Sequence, residues 1–180
     1  MKKLAILDHK KSKVLRQVAK DVPLKDMGTK RLGDIIAQMK AVLTKQEDGV
    51  AIAAPQVGVS LRIFVVSGKA QDMYRGKDKK LHTREGAEKR EDMVFINPEI
   101  INLSKKKRLM EEGCLSVRWF YGQVPRHEKA KIKFYDEKGK RREVGGSGLM
   151  AQIFQHEIDH LNGVLFIDKA ENVRNLPPEN

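Results

Sequence analysis

The stretch GSGLMAQIFQHEIDHLNG, residues 146–163, decides how this chain is read. Leu149, Ile153, His156 and His160 follow one another at spacings of four, three and four, so they share one stripe of a helix. Ser147 suits the N-cap, and Asn162-Gly163 suits a left-handed stop. Inside this helix lies HEIDH, residues 156–160. Two histidines one turn apart reach a single metal ion. Glu157 stands about 100° around the axis from His156 and about 60° from His160. That offset flanks a metal without lying on it, as a base acting on water must. The pattern points to a metal hydrolase.

Two ligands do not complete a catalytic centre, which usually has three and an open position. Beyond His160 there is no histidine, and the carboxylates there are Asp168, Glu171 and Glu179. A zincin-type endopeptidase needs one of these. Upstream, Cys114 in EEGCLS is the only cysteine, and a lone cysteine is often just a small buried hydrophobe. Spacing alone leaves both sources open.

The chain has 180 residues, 40% hydrophobic and 33% charged, the profile of one globular domain over residues 1–180. One cysteine excludes a disulfide-stapled scaffold and suits a reducing, cytoplasmic compartment. No apolar stretch approaches the ~20 residues that span a bilayer, so no membrane partner is expected. The start, MKKLAILDHKKSKVL, has only four apolar residues before charge returns, too few for a signal peptide. Lysine and arginine outnumber the acidic residues by 36 to 24, giving +12, which favours loose contact with polyanions. No zinc knuckle, RNP-type motif or basic heptad accompanies that charge, so specific DNA binding is not expected. A basic ribosome-associated protein with a metal-free site is the non-enzymatic alternative.

Moving outward, Leu32, Ile35, Ile36, Met39, Val42 and Leu43 mark one face of a helix that Asp48-Gly49 ends. LRIFVV, residues 61–66, reads as a buried strand. Residues 69–92 are dense in charge and read as a surface loop. From Val94 to Leu103 two short extended pieces are expected around Asn97-Pro98, with a hairpin tip at Lys105 to Arg108. Lys129 to Tyr135 alternates as a strand and turns at Asp136 to Gly139. Residues 169–180 read as a short tail.

Three segments in order then carry a resemblance: GVAIAAPQ at 49–56, EGCLS at 112–116 and QHEIDHLNG at 155–163. Together with INPEII at 96–101, VPR at 124–126 and GVLFID at 163–168, they resemble the bacterial-type peptide deformylases over nearly the whole chain. The resemblance implies an α+β fold, antiparallel strands packed around a central helix carrying the HEIDH motif. It implies one divalent metal on Cys114, His156 and His160, with Fe2+ foremost and Zn2+, Ni2+ or Co2+ able to replace it. It also implies hydrolysis of the formyl group from the N-terminal formylmethionine of new polypeptides, releasing formate. Glu157 would carry the proton, while Gln56 and the backbone N–H of Leu115 would steady the oxyanion. Gly49, Met110, Leu149 and Ile153 would contact substrate. Asp159 is expected to pair with Arg126.

The match departs at particular residues. Ala51 stands where the family usually has glycine. After EGCLSV a proline is usual, and here Arg118-Trp119-Phe120-Tyr121 follows, an aromatic and basic patch beside the site. KAENVRNLPPEN is too short and proline-broken for the long basic helix with which some members dock at the ribosome, so weak association through the basic surface is the expectation that remains.

Overall fold

A computed structural model describes residues 3–70 and 90–178 of the chain. Short 3-10 turns at Lys13–Arg16 and Leu24–Asp26 lead to helix α1, Lys30–Thr44. Strand β1, Ala51–Ala53, runs into a 3-10 turn at Ala54–Val57 and then β2, Ile63–Val66. Strands β3, Met93–Leu103, β4, Lys107–Gly113, β5, Phe120–His127, β6, Lys129–Tyr135, and β7, Arg141–Ser147, precede helix α2, Gly148–Leu161. A 3-10 turn at Phe166–Asp168 and strand β8, Glu171–Asn175, follow. All pairings between strands are antiparallel: one sheet has the order β1-β2-β3-β6-β7 and the other β4-β5-β8.

Strand β2 is covered on both faces, which is why IFVV, residues 63–66, is a continuous apolar run and not an alternating one. Phe64 and Val66 join α2's Met150, Ile153, Phe154 and Ile158 in one core cluster. Ile63 and Val65, turned the other way, join α1's Leu32, Ile35, Ile36, Met39 and Leu43 in a second. Thr29 caps α1 by accepting from the Leu32 N–H. Phe64 stacks on Phe95 at 4.4 Å, and Phe95 meets Phe154 edge-on at 5.6 Å, which keys α2 to the sheet. Close approach at the start of α2 needs Gly146, where a Cβ would sit 2.8 Å from that of Met150.

Three local expectations differ from the structure. Residues 93–103 are one strand, not two pieces, because the proline is absorbed by register irregularities between Ile96 and Glu99 and between Ile100 and Asn102. Asn97 takes φ +48° there, and its amide bonds both the N–H and the C=O of Val22, at 2.8 and 2.9 Å. Lys105 and Lys106 form no hairpin tip; they lie on the connection between the two sheets, and Lys107 and Arg108 already belong to β4. The stretch read as a tail contributes β8, which pairs with β5. Of the charged segment 69–92, residues 71–89 lie outside the described residues. No helix among the described residues is long and apolar enough to cross a membrane.

Candidate functional site

α2 carries HEIDH with His160 and Glu157 buried and His156 half-buried. Cys114 follows β4 directly, on the loop that leads into β5. The fold brings this loop against α2: Cys114 Sγ lies 3.2 Å from His160 Nε2 across 46 residues of sequence. One ligand atom each from Cys114, His156 and His160 fall within 4.8 Å of one another, the only such metal-capable group among the described residues. A soft sulfur with two imidazoles suits a borderline divalent ion such as zinc or iron, so the donor set fits a cation. The downstream carboxylates do not join it. Asp168 accepts from Arg16 and from the Leu165 N–H, Glu171 is exposed on β8, and Glu179 lies outside the described residues.

The groups around this centre are fixed by further contacts. His156 Nδ1 meets Glu112 Oε2 at 2.9 Å. Glu112 also receives Arg126 through two bonds of 2.7 and 3.0 Å, and Arg126 Nη1 donates to Asp159 at 2.6 Å. The expected Arg126–Asp159 pair is therefore present, and Lys169 adds a second cation to Asp159. Burial by itself would raise the Glu112 carboxyl, but the bonds from His156 and Arg126 prevail and hold it at about 2. Burial pushes the Glu157 carboxyl up to about 7, since few charges offset its loss of water. Burial likewise holds the His160 imidazole well below its ordinary value, in the neutral form a metal needs. Glu157 Oε2 and His160 Nδ1 are buried without a hydrogen-bond partner.

Gln56 is held just as firmly. Its Oε1 accepts from the Ala53 N–H at 2.8 Å, which leaves Nε2 directed at Cys114 Sγ, 3.4 Å away. A cavity of about 280 Å³ opens here. It is lined by the expected Gly49, Gln56, Leu115, Leu149, Ile153 and Glu157, besides Cys114 and His156. Met110, on β4 opposite Val124, does not line it, so the structure does not bring that residue to the site. Gly49 has a local reason to be glycine: a Cβ there would meet that of Gln46 at 2.8 Å. Ala51 is buried on β1 and lines the cavity as well.

Sequence reasoning missed Glu112. It stands beside the glycine that precedes Cys114, and a carboxylate next to a ligand candidate was the available signal. The partner role of Glu112 depends on pairing with α2, which no spacing announces.

A cysteine from a strand end and an HExxH helix, meeting at the floor of a partly apolar cleft, define a metal-dependent hydrolase. The sequence profile described as polypeptide deformylase matches residues 1–175, and the chain belongs to that family. Its members remove the formyl group from the N-terminus of nascent peptides in a metal-dependent reaction. A peptide deformylase of Rhizobium meliloti (strain 1021) is 38% identical over 161 residues, 89% of this chain and 82% of the relative. The chloroplastic/mitochondrial peptide deformylase 1A of Arabidopsis thaliana is 41% identical over 160 residues, 87% of this chain and 57% of the relative. A Met-Ala-Ser-bound class I type b peptide deformylase from Acinetobacter baumannii superposes with a TM-score of 0.76 at 32% identity, covering 94% of this chain and all of that one.

Proposed function

We propose that Cys114, His156 and His160 hold the catalytic cation of this deformylase, that Glu157 moves the proton, and that Gln56 and Leu115 stabilise the oxyanion. The observation that carries the reading is the convergence of the Cys114 sulfur with the two imidazoles beside a buried, unpartnered Glu157 oxygen. A divalent cation bound there supplies Lewis acidity, which makes water nucleophilic near neutral pH.

The chain's own groups do the rest. Glu157 accepts a proton from the attacking water, whose oxygen bonds to the formyl carbon. The carbonyl oxygen gains negative charge and receives hydrogen bonds from the Gln56 amide and the Leu115 backbone N–H. As the C–N bond breaks, Glu157 returns the proton to the departing amine, and formate leaves. A carboxyl lifted to about 7 suits both transfers near neutral pH. Gln56 is pre-oriented because its own carbonyl is tied to β1, so it need not reorganise during the reaction. Val50, Leu149 and Ile153 offer apolar walls to the methionine side chain, with Gly49 at the entrance.

The thiolate offsets part of the cation's charge and suits a borderline divalent ion. The family resemblance, not the donor set, makes Fe2+ the proposed ion, with Zn2+, Ni2+ or Co2+ as replacements. A thiolate–iron centre keeps best in the cytoplasm, where thiols stay reduced. The +12 charge supports weak, salt-sensitive association with the ribosome and gives no reason to expect specific DNA binding or a membrane. The test is formate release from a formyl-Met dipeptide by metal-loaded protein, read beside metal content. Glu157→Ala is expected to keep one equivalent of metal and lose nearly all turnover, and Cys114→Ala to lose both. Full turnover by Cys114→Ala, or none by the native protein with any of these metals, overturns the assignment.

A further inference from the structure

The outer end of the cleft holds a contact that the formyl chemistry does not use. Arg118 reaches back across the opening to the turn that follows α1, donating through Nη1 to Asp48 at 2.7 Å and through Nη2 to Gln46 at 2.8 Å. Its guanidinium also lies 5.1 Å from the ring centroid of Trp119. The Trp119 backbone is anchored too, since its carbonyl accepts from the Leu176 N–H at 2.8 Å. Trp119 is nevertheless 37% exposed and lines the same cavity as Cys114 and Glu157. Partial exposure is ordinary for so large a side chain; its place on the cleft wall is what singles this residue out. This one is backed on one side by a fixed cation and presented to whatever occupies the cleft.

We propose that Trp119, positioned by the Arg118–Asp48–Gln46 clamp, is a subsite for the peptide residues that follow the formylmethionine, and that it favours aromatic side chains there. The proposal rests on the deformylase reading of the same cleft. Its occupant follows from continuity: reacting groups and methionine fill the inner end, so the chain beyond them leaves past the rim. The choice of aromatic over acidic follows from charge. Both terminal nitrogens of Arg118 are already engaged, and of the three aromatic residues lining the cleft, Trp119, Phe120 and Tyr121, the indole is the exposed one. Large rigid rings bury area at little entropic cost and stack with defined geometry. In this scheme Trp119 is the contacting residue and Arg118 a positioning one.

Steady-state deformylation of formyl-Met-X-Ala and formyl-Met-Ala-X, with X as Trp, Phe, Gly or Asp, tests this in metal-loaded enzyme. In at least one series kcat/KM for the aromatic peptides should exceed that for glycine by about three- to ten-fold, mostly through KM, the range expected of one aromatic pair. Trp119→Ala should bring the ratio to about 1, Trp119→Phe should keep much of it, and Arg118→Ala should weaken it without removing it. Metal content and thermal midpoint, measured on each variant, separate lost selectivity from lost folding. A native ratio near 1 in both series overturns the proposal, as does a ratio that survives Trp119→Ala in folded protein. A preference for aspartate that fades in 0.5 M salt overturns it too, because that signature belongs to charge capture by Arg118. Absence of formate from every peptide is a different result and overturns the activity itself.

Discussion

Glu112 links His156, one of the three proposed ligands, to Arg126, and that carboxylate helps tie the strand preceding Cys114 to α2. Its folded value of about 2 lies below the ordinary 4.5, so it contributes stability that is fully present above about pH 4.5. That contribution is lost as pH falls toward 2, and its size is about 3 kcal/mol. Acid titration followed by far-UV circular dichroism is expected to show Glu112→Gln with a shallower loss of stability over this window than the native protein. Gln56→Ala removes one preorganised donor, and kcat is expected to drop by about 10²–10³ with little change in metal content. A rise in KM with kcat unchanged would instead assign Gln56 to ground-state binding. At this scale the sequence was readable where chemistry is local. His156, Glu157 and His160 sit within one turn and announce themselves, whereas Cys114 is 46 residues from His160 and became legible only through the resemblance of its segment.

Both helices follow from their apolar spacing, and α1 buries the face that the spacing marks. Strands were harder. Pro98 argued against a continuous strand, yet β3 passes through it on a register irregularity where Asn97 adopts a left-handed conformation and its side-chain amide makes two bonds to the Val22 backbone. Asn97→Ala would forfeit both bonds and place a less tolerant residue at positive φ. A loss of about 1–3 kcal/mol is expected in urea unfolding, whereas Asn97→Asp should lose less because it keeps one acceptor. β8 was illegible for a different reason. ENVRN is exposed along its whole length and bears no alternation to read, so only pairing with β5 makes it a strand.

Across the whole molecule, the sheet that carries Gln56's anchor and the helix that carries HEIDH are fixed to each other by the phenylalanine cluster. The cysteine arrives from the other sheet. On the proposed assignment, ligands drawn from separate layers would make the cation a cross-link of the folded state alone. Stripping it with a chelator under anaerobic conditions should lower the thermal midpoint by several degrees and restore it on reloading, read by differential scanning fluorimetry. An unchanged midpoint would mean that the layers hold without it. Because the chain has one sulfhydryl, and that one belongs to the proposed donor set, it would double as an internal occupancy gauge. A chromogenic thiol reagent added to any preparation would report the vacant fraction directly, one equivalent per empty molecule, without a correction for bystander cysteines.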